Sequence, residues 1–308
     1  MSYRGRFAPS PTGALHLGSL ATALVAWWRA RQQGGALLLR VEDIDTPRVV
    51  AGSEAQQLDD LSWLGVDWDE APLRQSTRSA AYEAAIATLA GQGAVYLCDC
   101  SRREIAGVAS APHAGEEGPR YPGTCRRFGM RDRAWKRPPA VRVALPDRDI
   151  VVHDLWQGER RQHVAAEVGD FVLKRGDGIY AYQLAVVVDD RDMRISEVVR
   201  GADLLDSAPR QALLAEMLGA RAPAFAHAPL VLGADGTRLQ KRTPSHTLAA
   251  ARAAGVEPPV MVGRLATALG LLTGADAPRS ATAAQLVDRV DLAALRGRRE
   301  VRLGRDEC

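Results

Sequence analysis

Arg6-Phe7-Ala8-Pro9-Ser10-Pro11-Thr12-Gly13-Ala14-Leu15-His16-Leu17-Gly18-Ser19 is the stretch whose reading decides the fold. A short element from Tyr3 to Phe7 leads into a loop of Pro, Ser, Thr and Gly. Beyond it Leu17, Leu20, Ala21, Leu24, Trp27, Trp28 and Arg31 recur at helical spacing. Ala36 to Val41 reads as an apolar run bounded by Gly34-Gly35 and by Glu42-Asp43-Ile44-Asp45, the pattern of a strand buried on both faces of a parallel sheet. Strand, helix and strand make a βαβ unit, whose functional loops belong at the carboxyl ends of its strands. The Pro-rich loop and the acidic Glu42 loop both fall there.

His16 stands two residues before Gly18, at the expected start of the first helix. A helix N-terminus offers free N–H groups and the positive end of the dipole, and so attracts phosphate. A glycine there lets a nucleotide approach the backbone, and an imidazole can bond phosphate oxygens as charge builds on them. An isolated His-x-Gly would more often be a helix cap with no further role; the surrounding string gives it weight.

With 46% apolar and 25% charged residues, 308 residues can bury a large core, which excludes a disordered chain and a disulfide scaffold. Basic and acidic residues number 40 and 37, so an anionic partner is permitted but not demanded. Arg296, Arg298, Arg299, Arg302 and Arg305 crowd the last stretch, as a solvated helix face or tail or as an RNA contact. Only Lys136, Lys174 and Lys241 are lysines. No apolar stretch approaches the roughly 18 residues of a membrane span, and no secretory leader is evident. A cytoplasmic protein without a membrane partner is expected.

Helices are expected from Gly52 to Leu64 and from Arg78 to Gln92, and a strand from Val95 to Cys98. From Cys98 to about Val168 the chain turns rich in Gly, Pro and Arg, with strand-like pieces at Val141 to Ala144 and Ile150 to Asp154, as in an inserted subdomain. Leu184 to Val188 and Ile195 to Arg200 read as core, and helical patterns fill most of the chain after the basic loop Arg238 to Thr243. Cys98, Cys100 and Cys125 cluster in the insertion, where metal is a better reading than disulfides. Thiolates hold zinc tetrahedrally, and His113 or water could complete three cysteines. Cys308 has no evident partner.

The Arg6 to Ser19 string resembles the first signature of class I aminoacyl-tRNA synthetases, and the Arg-Phe-Ala-Pro-Ser-Pro-Thr-Gly half narrows it to the glutamyl and glutaminyl branch. Arg238-Leu239-Gln240-Lys241-Arg242 stands where that class carries its second, lysine-bearing signature, with Arg238, Gln240 and Arg242 departing from the usual pattern. Tyr180 to Asp190 and Val199 to Leu205 are similar to the same branch. The Cys98-x-Cys100 and Tyr121-x3-Cys125 positions resemble the zinc site of glutamyl-queuosine tRNA(Asp) synthetases. About 65 residues follow Thr243, too few for the large anticodon-binding domain of an ordinary glutamyl-tRNA synthetase.

The resemblance implies an α/β fold: a Rossmann-like parallel sheet over 1–95 and 180–222, an inserted zinc subdomain over 96–179, and a mostly helical region with the second signature over 223–308. It implies His16 and Lys241 as catalytic residues, and Pro9, His16, Gly18, Ser19, Arg238 and Lys241 around ATP. Glutamate falls to Arg6, Phe7, Ala8, Pro9, Ser10, Glu42, Tyr182 and Arg200, and one structural zinc to Cys98, Cys100, Tyr121 and Cys125. The implied partners are Mg-ATP, L-glutamate and queuosine-containing tRNA(Asp), with glutamate activated without tRNA by a monomer. A synthetase core charging a tRNA 3′ end, a non-catalytic RNA-binding relative and an unrelated nucleotidylyltransferase are the alternatives.

Overall fold

Arg4–Phe7 (β1) and Ala36–Val41 (β2) pair in parallel, in the register Arg4↔Ala36 to Phe7↔Leu39. Leu17–Gln32 (α1) crosses between them, and 11 of its 16 residues are buried, so it is covered on nearly every side. The sheet is one cover. The other is the C-terminal region: Trp28 Nε1 donates to the Ala283 carbonyl at 2.9 Å, and Gln32 Nε2 donates to the carbonyls of Val287 and Val290. Met261, Leu265, Leu286, Leu295 and Leu303 complete that core. Truncating a fully buried leucine such as Leu24 to alanine would cost about 2 to 5 kcal/mol. The structure, a computed structural model, describes residues 2–108, 120–237, 247–272, 278 and 280–303.

Leu73–Arg74 (β3), which follows Ser53–Trp63 (α2) in the chain, extends the first sheet beside β2. A second parallel unit runs through Glu197–Gly201 (β9), Ala208–Met217 (α7) and Ala224–Ala228 (β10). Ser196 N donates to the Arg4 carbonyl at 2.9 Å, and Arg4 N donates to Ser196 Oγ at 2.8 Å, which ties the start of β9 to β1. The two units therefore end their strands at one edge.

Between them lie Ser79–Gly91 (α3), Val95–Cys98 (β4), Arg102–Val108 (α4), Ala140–Val143 (β5), Ile150–Asp154 (β6), Gly158–Gln162 (β7), Val164–Glu167 (α5) and Val172–Lys174 (β8). β4, β5 and β8 form an antiparallel sheet. The β6–β7 hairpin instead joins β10 through Phe225↔Asp154, so part of the sequence's insertion-like stretch extends the second parallel unit.

Tyr182–Asp192 (α6) carries the core run Leu184 to Val188. Its three consecutive valines favour a strand by propensity, but burial of Gln183 to Asp190 overrides that weak preference. After Leu230–Leu232 (β11) come Leu248–Ala253 (α8) and Pro258–Ala268 (α9), as the helical pattern anticipates. The arginine-rich stretch differs: Glu300–Arg302 (β12) is a strand paired in parallel with β11. Among the described residues no helix is long and apolar enough to cross a membrane.

Candidate active site

The loop that leaves β1 is pinned from below by α2. Gln57 Nε2 donates to the carbonyls of Ser10 (3.1 Å) and Gly13 (2.6 Å), while Ser53 Oγ accepts from Gly13 N and donates to Gly13 O. Gly13 sits at φ +123°, a conformation closed to residues with a Cβ. His16 then caps α1: its Nδ1 accepts from Ser19 N at 3.1 Å. With Nδ1 accepting, the proton of a neutral ring belongs to Nε2. Gly18 lies against that ring, where an added Cβ would come within 3.1 Å of Nδ1.

The capped helix, the loop and the ends of β1, β2 and β9 enclose a cleft of about 460 Å³. Arg6, Phe7, Ala8, Pro9, Ser10, His16, Gly18, Ser19, Glu42, Tyr182 and Arg200 all line it. Those eleven positions come from four separate parts of the sequence. Arg238 and Lys241 lie outside the described residues, as do His113, Gln240, Arg242, Arg305 and Cys308. The segments flanking 238–246 do reach the cleft: Leu230 and Val231 line it, and Thr247 bridges to His16.

Sequence reading missed the network beneath this lining. Arg40, fully buried in β2, donates to Asp190 Oδ1 at 2.5 Å and to Glu42 Oε1 at 3.1 Å. Arg6 also donates to Asp190 Oδ1, at 3.3 Å, and to the Val199 carbonyl. Asp189 turns the other way, accepting from Gln75, Arg78 and Tyr82. Burial opposes ionisation of Asp190, yet Arg40 and Arg6 outweigh it and hold the carboxyl below its ordinary value. Glu42 is the reverse: burial dominates over Arg40 and Arg6, and its carboxyl is raised. A cation arriving opposite Glu42 would favour its charged form. A charge inside the apolar run of β2 was the available signal, since a buried arginine must have partners.

Arg200 has different neighbours. The residue is 5% exposed, and its guanidinium donates to His227 Nε2 (2.9 Å), Gln211 Oε1 (2.7 Å) and the Leu204 carbonyl (3.2 Å), with Tyr182 Oη at 3.5 Å. Among the described residues no carboxylate forms an ion pair with it. Burial pulls its basicity down accordingly. It is a buried cation with neutral acceptors, open to a cleft.

Away from the cleft, the sulfurs of Cys98, Cys100 and Cys125 lie within 4.8 Å of one another. Tyr121 Oη sits 3.3 Å from Cys98 Sγ and 3.8 Å from Cys100 Sγ, and accepts from Cys125 N at 2.9 Å. The turn between the first two cysteines is braced by Asp99, which accepts from Arg133 (2.5 Å) and Lys136 N (3.1 Å). Burial and the neighbouring sulfurs push the Cys100 thiol up to about 12. Burial also pushes on the Cys98 thiol, but hydrogen bonds from Tyr121 and the Cys100 backbone hold it below its ordinary value, and three sulfurs this close could hold a metal ion.

A His-capped helix at the carboxyl edge of a parallel sheet, beside a cleft with buried cations and a carboxylate, suits the binding of a nucleotide next to a charged substrate. The family model described as tRNA synthetases class I (E and Q), catalytic domain, matches residues 2–276. The sequence is 48% identical to a glutamyl-Q tRNA(Asp) synthetase of Symbiobacterium thermophilum over 302 residues, 94% of this chain and 92% of the relative. With the protein of that name from Burkholderia cenocepacia it shares 49% over 282 residues, 90% and 91% of the two chains. The crystal structure of a glutamate tRNA ligase from Elizabethkingia meningosepticum in complex with its amino acid matches all of this chain and 68% of its own, with a TM-score of 0.83 and 28% identity. The chain belongs to the glutamyl-Q tRNA(Asp) synthetase family, within the glutamate and glutamine branch of class I.

Proposed function

We propose that the cleft activates L-glutamate with ATP, without needing tRNA, and that the glutamyl group then passes to queuosine in the anticodon loop of tRNA(Asp). The observation that carries the glutamate half is the buried Arg200 guanidinium, which has no carboxylate partner among the described residues, in one cleft with Arg6 and Glu42. Glutamate supplies two carboxylates for the arginines and an ammonium for Glu42. A neutral amide in place of the side-chain carboxylate would leave a buried cation uncompensated, at a cost of several kcal/mol by the order of such pairs. Ser10 and Tyr182 offer hydroxyls, and Phe7, Ala8 and Pro9 shape the floor.

In the first step a glutamate α-carboxylate oxygen attacks the α-phosphorus of Mg-ATP and pyrophosphate leaves. His16, Gly18, Ser19 and Pro9 face the nucleotide, with Arg238 and Lys241 assigned to its phosphates from the second signature. A cyclopentenediol hydroxyl of queuosine then attacks the activated carbonyl, AMP leaves, and the hydroxyl proton is released. No protein nucleophile is required, because positioning and charge stabilisation suffice. Zinc on Cys98, Cys100, Cys125 and Tyr121 would brace the insertion, as a closed site with no open position. An inserted zinc subdomain within 96–179 that leaves the β6–β7 hairpin to the second parallel unit, the monomeric state and the cytoplasmic location belong to this reading.

The name shared by the relatives supports the acceptor. Charging tRNA(Asp) that carries queuosine and tRNA(Asp) that lacks it tests this half. Glutamate is expected on the modified tRNA alone, in a linkage to the anticodon nucleoside; attachment to the 3′ end would refute it.

A further inference from the structure

Arg200 and His227 are Cα partners in the β9–β10 ladder, so their side chains share a face. Arg200 Nε can only donate, and its 2.9 Å bond to His227 Nε2 therefore requires a lone pair there. The ring proton must sit on Nδ1, which lies 2.5 Å from Asp154 Oδ2. Asp154 is held in its turn. Its Oδ1 accepts from the backbone N–H groups of Trp156 (3.0 Å), Gln157 (2.9 Å) and His227 (3.2 Å). The side chains of Asp154 and His227 are wholly buried, and the Phe225 ring stacks on the imidazole.

An imidazole at this point does what a carboxylate could not. Either would direct the guanidinium, but a carboxylate would also cancel its charge. The second acceptor, Gln211 Oε1, is neutral too, and is turned toward Arg200 because Gln211 Nε2 donates to Gln183 Oε1 at 2.9 Å. The groups bonded directly to Arg200 orient it without pairing it to a carboxylate, and Asp190 and Glu42 act on its charge only from farther off.

We propose that Asp154 and His227 are a positioning pair that aims Arg200 into the cleft as a cation not directly paired with a carboxylate among the described residues, and so sets the affinity for the substrate carboxylate. The proposal rests on the reading of Arg200 as a glutamate contact. Asp154→Asn is its sharpest probe, being nearly isosteric. The oxygen of the substituted amide would keep the three backbone donors, leaving its NH2 to donate to His227 Nδ1. The ring proton then moves to Nε2, where it opposes the Arg200 donor, a tautomer error of the kind that disables catalytic triads.

The test measures KM for glutamate and for ATP in glutamate-dependent pyrophosphate exchange, for the full-length wild type, Asp154→Asn, His227→Leu and His227→Gln. Asp154→Asn and His227→Leu should raise the glutamate KM by about ten- to a hundred-fold, the order of one lost buried bond to a charged group, while the ATP KM stays within about two-fold. His227→Gln, whose amide oxygen can stand near the Nε2 position, should recover most of the loss. Nitrogen NMR of labelled histidine should show the Nδ1–H tautomer in the wild type and the Nε2–H tautomer in Asp154→Asn. An unchanged glutamate KM in Asp154→Asn, or equal losses for glutamate and ATP, would overturn the proposal. If His227→Leu does not fold, Asp154→Asn and His227→Gln still decide. If the wild type exchanges with another carboxylic acid instead, the glutamate reading fails, and the same KM comparison on that acid decides the positioning role.

Discussion

Arg40 Nη1 lies 2.5 Å from Asp190 Oδ1, and both side chains are sealed from solvent. Asp190 also receives Arg6, so one carboxylate separates two cations beneath the cleft. Asp190→Asn should leave Arg6 without a carboxylate partner among the described residues and Arg40 with only Glu42 at 3.1 Å and Asp189 at 4.0 Å. Removing one partner of a buried pair costs about 3 to 5 kcal/mol, so a clear drop in urea midpoint is expected, together with a higher glutamate KM from a displaced Arg6. Unchanged stability would mean that water or another group compensates the pair.

His227 supplies a pH dependence whose sign can be worked out. Burial holds it below the ordinary histidine value of about 6.5, Arg200 adds to this, and the Asp154 bond opposes it. The unfolded chain therefore takes up the proton first. The contribution of His227 to stability is complete above about 6.5 and declines as pH falls from there toward the folded value. Denaturant unfolding between pH 8 and 5 should show a steeper acid loss for the wild type than for His227→Gln; parallel curves would contradict a buried neutral histidine.

Gly18 is where a single methyl group reaches the chemistry. In Gly18→Ala the new Cβ crowds the His16 ring at 3.1 and 3.2 Å, so the ring must shift from its cap. His16→Ala should slow glutamyl-adenylate formation by roughly 10² to 10³, as for loss of one charge-stabilising donor, and Gly18→Ala by part of that. Lys241→Ala should slow the same single-turnover step. A wild-type rate for Lys241→Ala would remove the second signature from the mechanism.

Metal analysis of the purified chain should find zinc near one equivalent, lost in the Cys98→Ser, Cys100→Ser double variant. Pyrophosphate exchange should persist in that variant at moderate temperature, since the cysteines stand apart from the cleft lining. The expected defect is a lower unfolding temperature of the β4–β5–β8 region, read by hydrogen exchange. A chain that never carries metal would contradict the site.

The parts of this architecture that local pattern controls were legible. The strand, Pro-rich loop and helix around His16 follow from residue spacing, and the resemblance named eleven residues that share one cleft, eight of them within Arg6 to Ser19 and the others Glu42, Tyr182 and Arg200. What pattern cannot carry is register. Asp154 and His227 are 73 positions apart, and nothing local in either marks a partnership that arises only when β6 and β9 flank β10. Arg40 carried a signal in its charge within an apolar strand, but its partners Asp190 and Glu42 are set by long-range and loop geometry, and β12 escaped because its arginines outweighed the pairing partner supplied by β11. Long-range pairing decides these elements, and it overrides composition.

Glutamate-dependent exchange of pyrophosphate into ATP, measured without tRNA and compared with glutamine and aspartate, tests the central claim most directly. The buried Arg200 cation predicts exchange with glutamate and a loss of at least a hundred-fold with glutamine, in the range of about 3 kcal/mol for an unpaired buried charge. No exchange with glutamate, or equal exchange with glutamine, would contradict it.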